Sequence, residues 1–417
     1  MVFVMPDMLP RAFFKRKKDR YNEYNKGKQR PNQKSESRQD KPKIQAQKSK
    51  TNKEEKEMSY RIGLCYGDAI GPEITKATEV MMKAGAEKVG LDIEWPVYPM
   101  GWEGIEKYNN PVPEITIEGL RTCDAWVFAP HDSAAYPKEF FERANPSGTM
   151  RHVFDLYSNA RPAKVYPGVK PEKVKVDPSS DIVVFRENSE GALPDRNMYR
   201  GWGEFMPNED LVISMSVMSR KATERLAHEA FKYAMKRRKH LTIVHKANVI
   251  QWAYGFFRDV IKEVGAKYYP EVRIDDFHID ASTAHLVRHM QDFDVIITTN
   301  LFGDILSDLA GELTGSLGLG PGINTNDHQC MAQAAHGSAP DIAGKNIANP
   351  TGLMLSACMM FDWLATNRND EKFAEAAKIM EKAVLDTMAA GEVTPDMNGT
   401  ESTSSYAEKI AERIRKA

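Results

Sequence analysis

The chain has 417 residues, 41% of them apolar and 28% charged, a balance that fits a globular protein of one large domain or two ordinary ones. No apolar run approaches the roughly 18 residues that a membrane span needs. The net charge of −1 hides an asymmetry: residues 1–57 carry 17 Lys+Arg against 8 Asp+Glu, the remainder 40 against 50, and so acidic a body argues against nucleic acid as the main partner.

The basic segment comes first. Residues 11–57 are rich in Lys, Gln, Asn and Ser and hold almost no aliphatic residue after Phe14. Such a stretch cannot bury enough apolar surface to offset its ordering entropy, so residues 1–57 are expected to be a disordered basic tail. The dominance of Lys and the eight acids argue against a transit peptide. Met58 reads as an alternative first residue, because a strand starts at Tyr60.

Tyr60–Tyr66 is that strand, and Gly67–Glu73 turns into a helix from about Pro72, proline being acceptable in a first helical turn. Ile93–Tyr98 reads as a second strand, Thr116–Thr122 as a short helix and Ala125–Ala129 as a third strand. This alternation predicts an α/β fold with a largely parallel core. The middle differs: Asp181–Phe185 and Leu211–Met218 read as strands with little helix between them. Helices follow at about Arg220–Lys236 and Ala247–Val264, with strands at Leu241–His245 and Val272–Ile279. Helical patterns return at Gly352–Asn367, Glu371–Ala390 and Tyr406–Lys416. The order predicts a small domain, 157–309, inserted into a large one made of 58–156 and 310–417. Cys65, Cys123, Cys330 and Cys358 are scattered with no CxxC pair, which predicts buried thiols in a reducing, cytoplasmic setting.

The most informative stretch is Asn300-Leu-Phe-Gly-Asp304-Ile-Leu-Ser-Asp308, which follows the apolar run Asp294–Thr299. If the chain turns helical there, Asp304 and Asp308 fall on one face and can share a divalent cation. Hard oxygen ligands suit Mg2+ or Mn2+. Downstream lies the small-residue loop His336–Pro350. Its Gly337 and Ala339 allow close backbone approach, and His336, Asp341 and Asn349 offer polar contacts to a nucleotide. A carboxylate such as Asp341 can accept from both ribose hydroxyls and repels a 2′-phosphate, which favours NAD over NADP. Gly318-Leu-Gly320-Pro-Gly322 is a weak imitation of a dinucleotide fingerprint: Pro321 and the loop-like Gly322–Asn326 follow it where a helix should open.

Together with Val244–Asn248, Arg186–Gly191 and Asp155–Pro162, these segments resemble the β-decarboxylating dehydrogenases, the isocitrate/isopropylmalate dehydrogenase family, from about Tyr60 to the C-terminus. The resemblance implies a two-domain α/β fold unlike Rossmann, with the small domain inserted in the large one. It implies a homodimer whose active sites borrow residues from the neighbour. Arg151, Arg161 and Arg186 align with substrate arginines; three guanidinium forks suit a hydroxy-dicarboxylate or tricarboxylate. Lys246 aligns with the catalytic lysine and Asn248 with a residue beside it. Asp280, Asp304 and Asp308 align with the metal carboxylates, Asp280 coming from the partner chain. His336, Asp341 and Asn349 align with adenosine contacts, and Ile342 after Asp341 resembles the NAD-using branch.

Three positions depart from or bear on that pattern. Leu193 stands where the family usually has a proton-donating tyrosine, and leucine cannot donate. Tyr199 is the expected substitute; Tyr157, Lys246 or water are the others, a different or slower reaction is the third explanation, and a regulatory subunit is the non-enzyme reading. Ala69 stands where the turn commonly has glycine, and a small backbone adjustment is expected. Ser147, in the selectivity segment Arg143–Met150, is small and polar where isopropylmalate enzymes carry paired leucines. The overall pattern leans to 3-isopropylmalate, with isocitrate nearly equal and a homoisocitrate-, tartrate- or malate-type dehydrogenase as the further alternatives.

Overall fold

The computed structural model describes residues 59–140, 145–169, 176–193, 197–198, 201 and 203–417. The expected tail and Tyr199 lie outside the described residues. The strands, in chain order, are β1 (Tyr60–Cys65), β2 (Ile93–Glu94), β3 (Ala125–Phe128), β4 (Ser158–Lys164), β5 (Asp181–Glu187), β6 (Glu204–Asn208), β7 (Leu211–Ser214), β8 (His240–His245), β9 (Arg273–His278), β10 (Val295–Thr298), β11 (Ile323–Thr325) and β12 (Cys330–Ala332). The helices are α1 (Gly71–Val89), α2 (Trp102–Tyr108), α3 (Glu114–Arg121), α4 (Pro146–Val153), α5 (Arg220–Met235), α6 (Gln251–Tyr268), α7 (Ile279–His289), α8 (Asn300–Thr314), α9 (Thr351–Arg368), α10 (Glu371–Ala389) and α11 (Thr403–Lys416).

Ten strands form one mixed sheet in the order β2-β1-β3-β12-β11-β4-β5-β10-β8-β9, and β6 pairs with β7 in a separate hairpin. The expected parallel pairing holds at both ends of the sheet, where β1, β2, β3 and β12 run together and β5, β10, β8 and β9 run together. The centre is antiparallel instead, through β12–β11–β4–β5. Strands β3, β8 and β10 are buried along their whole length, as apolar strands covered by helices must be. Helix α9 buries Leu353, Met354, Leu355, Met360, Phe361 and Leu364 around its circumference and packs centrally between neighbours. Helix α1 carries Pro72 in its first turn and ends at Gly90, whose φ of 67° a glycine adopts without strain. All four cysteines are buried thiols, and among the described residues no helix is long and apolar enough to cross a membrane.

Several elements differ from the sequence-based expectation. Strand β2 has two residues, because Pro96 cannot donate to a ladder; Val97 returns only as a single bridge to Leu64. The helix expected from Ala247 starts at Gln251, because the Ala247 N–H donates to His245 Nδ1 at 3.0 Å and holds a turn there. The stretch after Gly322, expected as loop, contains β11, whose partners β4 and β12 are distant in sequence. Strands β4, β6 and β12 and helices α2, α4 and α7 have no counterpart in the sequence-based expectation, and the strand expected over Leu211–Met218 ends at Ser214. Ala69 keeps the turn's geometry without a glycine, at φ 50°.

Alternation along β4 separates two spaces. Ser158, Ala160 and Pro162 line a cavity of about 810 Å3 that also touches Phe185, Tyr233 and Trp363. Asn159 and Arg161 point to the opposite face. The arginines of interest lie on that opposite side.

Candidate active site

Strand register builds the floor. Asn159 of β4 lies opposite Arg186 of β5 on one side and Asn324 of β11 on the other, so the three side chains share a face. Arg161 lies two residues further along β4. Arg151 reaches the same region from the last turn of α4. That short helix is held by Asn145, whose side chain accepts from Gly148 N at 2.8 Å as an N-cap.

Helix α8 brings the acids. It opens directly after β10, and its four-residue spacing puts Asp304 and Asp308 on one face, as expected. Arg161 Nη1 lies 3.1 Å from Asp304 Oδ1 and 3.6 Å from Asp308 Oδ1, and donates to Ser307 Oγ at 2.8 Å. Arg186 Nη1 also pairs with Asp304, while its Nε and Nη2 donate to Asn300 Oδ1 at 2.9 and 2.7 Å. Asn300 is buried and turns its own N–H to Glu190 O at 3.0 Å. The guanidiniums are sunk, with side chains 10% and 3% exposed, whereas Asp304 and Asp308 are about half open.

The two carboxylates are electrostatically unequal. Burial pushes Asp304 upward, but the charges of Arg186, Arg161 and Arg151 outweigh it and hold the group below the usual carboxylate range. Burial, with Asp304 as a like-charged neighbour, moves Asp308 above that range in spite of Arg161. Asp308 Oδ1 is buried and accepts no hydrogen bond. A buried carboxylate oxygen without a donor, beside a second carboxylate, fits a divalent cation.

Lys246 and Asp280 form a second cluster. Strands β8 and β9 run parallel with His245 opposite His278, so the residues just past their ends meet: Lys246 Nζ and Asp280 Oδ1 are 2.5 Å apart. That ion pair holds Asp280 below the usual range. Beneath it, His245 accepts from Ala247 N and pairs through Nε2 with Asp276 at 2.9 Å, fixing the turn that carries Lys246. Within one chain Asp280 does not join Asp304 and Asp308: among the described residues no three acids, histidines or cysteines could hold a metal. Asn248 is exposed.

The expected nucleotide loop is anchored at several points. Ser338 O accepts from Ile70 N at 3.1 Å, tying the loop to the Gly67–Gly71 turn. Asn346 N donates to Glu73 Oε2 at 2.9 Å, and Asn346 O accepts from Thr403 N at 2.9 Å. Ala339 sits at φ 41° and leads into a single turn, Pro340–Ile342. Gly337 and Asp341 are exposed, and Ile342 packs partly on the core. His336 Nδ1 contacts Gly337 O at 3.0 Å, and its Nε2 is buried with no partner. Burial lowers the His336 pKa below the usual histidine value, which favours the neutral ring. Asn349, expected as an adenosine contact, has partners within the chain. Its side chain donates to Asp396 at 2.9 Å, and its oxygen accepts from Thr351 N at the start of α9.

Sequence reasoning missed a polar chain beside Arg151. Arg151 Nε donates to Asn324 Oδ1 and Nη2 to Gln333 Oε1, both at 3.1 Å. Gln333 Nε2 donates to Ser147 Oγ at 2.7 Å, and Ser147 Oγ lies 2.8 Å from His131 Nε2. Ser147 was anticipated; Gln333, Asn324 and His131 were not. His131 had a signal, since it follows an apolar strand at its carboxyl end, where α/β sheets place ligand groups. Asn159 had one too, two residues before Arg161 on the same strand face. Tyr157, one of the tyrosine alternatives, donates to Asp327 Oδ1 at 2.7 Å.

Large apolar side chains are exposed around both clusters. Val249, Ile250 and Trp252 surround the start of α6, with Trp252 93% exposed. Leu301 and Ile305 lie on α8, and Tyr254 of α6 stacks on Phe302 of α8 at 5.0 Å, so the two helices present these residues side by side. The β6–β7 hairpin exposes Phe205, Met206, Leu211, Val212 and Ile213.

Comparison with known proteins adds to this geometry. The isocitrate/isopropylmalate dehydrogenase family profile matches residues 61–410. The isocitrate/homoisocitrate dehydrogenase of Thermus thermophilus is 41% identical over 361 residues, covering 86% of this chain and 99% of that protein. The 3-isopropylmalate dehydrogenase of Archaeoglobus fulgidus is 39% identical over 352 residues, covering 84% of this chain and 98% of its own. A crystal structure of isocitrate dehydrogenase from Methylococcus capsulatus superposes with a TM-score of 0.74 at 35% identity, over 85% of this chain and 99% of that one.

Proposed function

The chain belongs to the isocitrate/isopropylmalate dehydrogenase family and is a dehydrogenase acting on a hydroxy acid; from that premise we propose NAD-linked oxidative decarboxylation of a 2-hydroxy acid bearing a β-carboxylate. The observation that carries the reading is the pair Asp304 and Asp308 set against the buried Arg161 and Arg186, with Asp308 Oδ1 left without a donor. The arginines bind the substrate's carboxylates and orient C2. Lys246, in its neutral form and clear of its ion pair with Asp280, takes the proton from the C2 hydroxyl as hydride leaves C2 for the nicotinamide. The C–C bond to the β-carboxylate then breaks, CO2 departs, and the bonding electrons pass to the enolate of the 2-keto product. One proton completes the reaction at carbon, and Lys246 holds the one it has just accepted. Leu193 plays no part in that transfer. Asp304 and Asp308 would hold Mg2+ or Mn2+, and a cation there supplies Lewis acidity toward the hydroxyl and carboxylate oxygens.

The cofactor side rests on the neutral His336, the open backbone at Gly337 and Ala339, and the exposed Asp341 before Ile342. The exposed Trp252 and its neighbours support a homodimer in which Asp280 and Lys246 complete the partner's metal and proton sites. The two-domain division at 157–309 and a cytoplasmic setting belong to the same reading. For the substrate, the overall pattern supports 3-isopropylmalate. One observation favours the isocitrate type instead: Ser147 and Gln333 form a polar wall beside Arg151.

The test is NADH formation from isocitrate, 3-isopropylmalate, homoisocitrate, malate and tartrate, with each nicotinamide, with EDTA and with Mg2+ or Mn2+ restored. At least one acid should be oxidised, EDTA should abolish the rate, and Asp308→Asn should lower kcat/KM by about 10²-fold or more. Full activity in EDTA refutes the metal assignment, and an unchanged Lys246→Met enzyme refutes the proton carrier.

A further inference from the structure

The polar chain beside Arg151 has a direction. A guanidinium only donates, so Asn324 and Gln333 must turn their oxygens toward it. Gln333 is thereby obliged to present its amide N–H to Ser147 Oγ. Ser147 Oγ already accepts there, and among the described contacts His131 Nε2 is the one acceptor left for its hydroxyl proton, so we assign the bond in that direction. A neutral histidine that accepts at Nε2 carries its proton on Nδ1. His131 is neutral: burial first, and then the charge of Arg151, pull its pKa down to about 4. Nδ1 is buried and has no partner. Donors therefore run from Arg151 through Gln333 and Ser147 and end on an unanswered N–H.

The surroundings hold that end in place. Asp68, itself buried, accepts from Trp102 N at 2.8 Å and from Asp132 N at 2.9 Å, which anchors the residue after His131. Ser147 and Arg151 are four residues apart on α4, about one helical turn or roughly 6 Å along one face. Ser147, the hydroxyl that meets His131, thus stands one turn from Arg151, and Gln333 bridges the two. The floor there is also polar: both amide atoms of Asn159 are buried without partners, between Arg186 and Asn324.

We infer that His131 and Gln333 determine the specificity of this site, and that the substrate's C3 substituent bears an oxygen that accepts from His131 Nδ1: a carboxylate or hydroxyl arm, not a branched alkyl group. The inference rests on the dehydrogenase reading above. A buried donor left unpaired discriminates against an alkyl arm far more strongly than a mismatch of one methylene in an apolar pocket.

The experiment compares kcat/KM of the full chain, with its metal and NAD+, for isocitrate, tartrate and 3-isopropylmalate. The wild type should favour isocitrate or tartrate over 3-isopropylmalate by about 10²-fold. His131→Leu should cut that ratio by about tenfold or more, mainly through KM, while His131→Asn, which keeps an N–H near the Nδ1 position, should preserve it. A thermal melt checks that each variant folds, and the wild-type ratio stands as a test without any variant. A wild type that prefers 3-isopropylmalate, or a ratio that His131→Leu leaves unchanged, overturns the inference and leaves the dehydrogenase reading intact. Oxidation of none of the acids overturns both.

Discussion

Gly303 offers a sharp test of how the fold aims the site. It lies in the first turn of α8, one residue before Asp304, against the stem of Arg186. A Cβ placed on it would stand 2.6 Å from both Cβ and Cγ of Arg186 and 3.1 Å from its Cα. Carbon atoms rest at about 3.5–4.0 Å, so Gly303→Ala must push helix and strand apart by roughly 1 Å. Two opposing effects set the stability. Alanine gains about 1 kcal/mol in a helix over glycine, and the overpacking costs about 1–3 kcal/mol, so the net change is at most about 2 kcal/mol of destabilisation. The functional effect is larger. Arg186 bonds Asp304 and Asn300 on that same helix, and a 1 Å misplacement of a positioning group costs about 10²-fold in rate. The assay is kcat/KM on the best substrate beside a thermal melt. A Gly303→Ala enzyme within about threefold of wild type would show that the close approach does not aim Arg186.

Two further predictions concern stability. Ala69→Gly should stabilise by about 1 kcal/mol or less, because it relieves a left-handed backbone worth about 1–2 kcal/mol but adds freedom to the unfolded chain; a lower melting temperature would contradict this. Glu187 is buried, and burial raises its pKa from 4.5 to about 7, although Ser189 and Glu190 donate to it. A raised carboxyl favours folding in its protonated form, so its contribution is intact below pH 4.5 and is lost as pH climbs to about 7, a decline of about 3 kcal/mol. Glu187→Gln should flatten that part of a denaturant-derived stability curve, and parallel curves for the two proteins would refute the assignment.

What could be read from the sequence was what is written locally. Asp304 and Asp308 declare themselves by spacing on one helix, and Arg161 and Arg186 by short motifs around them. Strands such as Ala125–Phe128 are visible as apolar runs. The polar chain is different. His131, Ser147 and Gln333 come from the end of β3, from α4 and from just past β12, and only the sheet order brings them together. The central strands were hidden for the same reason: β11 has three residues and owes its state to β4 and β12. The partners of Asn349 were hidden too: its amide meets Asp396, which is 47 residues away in the chain, while its oxygen accepts from Thr351 N.

The pairing of Arg161 and Arg186 with Asp304 has one more consequence. Positive and negative groups of the site neutralise each other in the free chain, so neither is idle. A dianion that draws the guanidiniums away leaves the carboxylates uncompensated, and a cation that engages the carboxylates does the same to the guanidiniums. Each ligand thus removes the competitor of the other. Their affinities are linked by a common factor, whichever binds first. Half-saturation by the acid should fall as the divalent ion is titrated in, and the ion's should fall in the same proportion as the acid is raised.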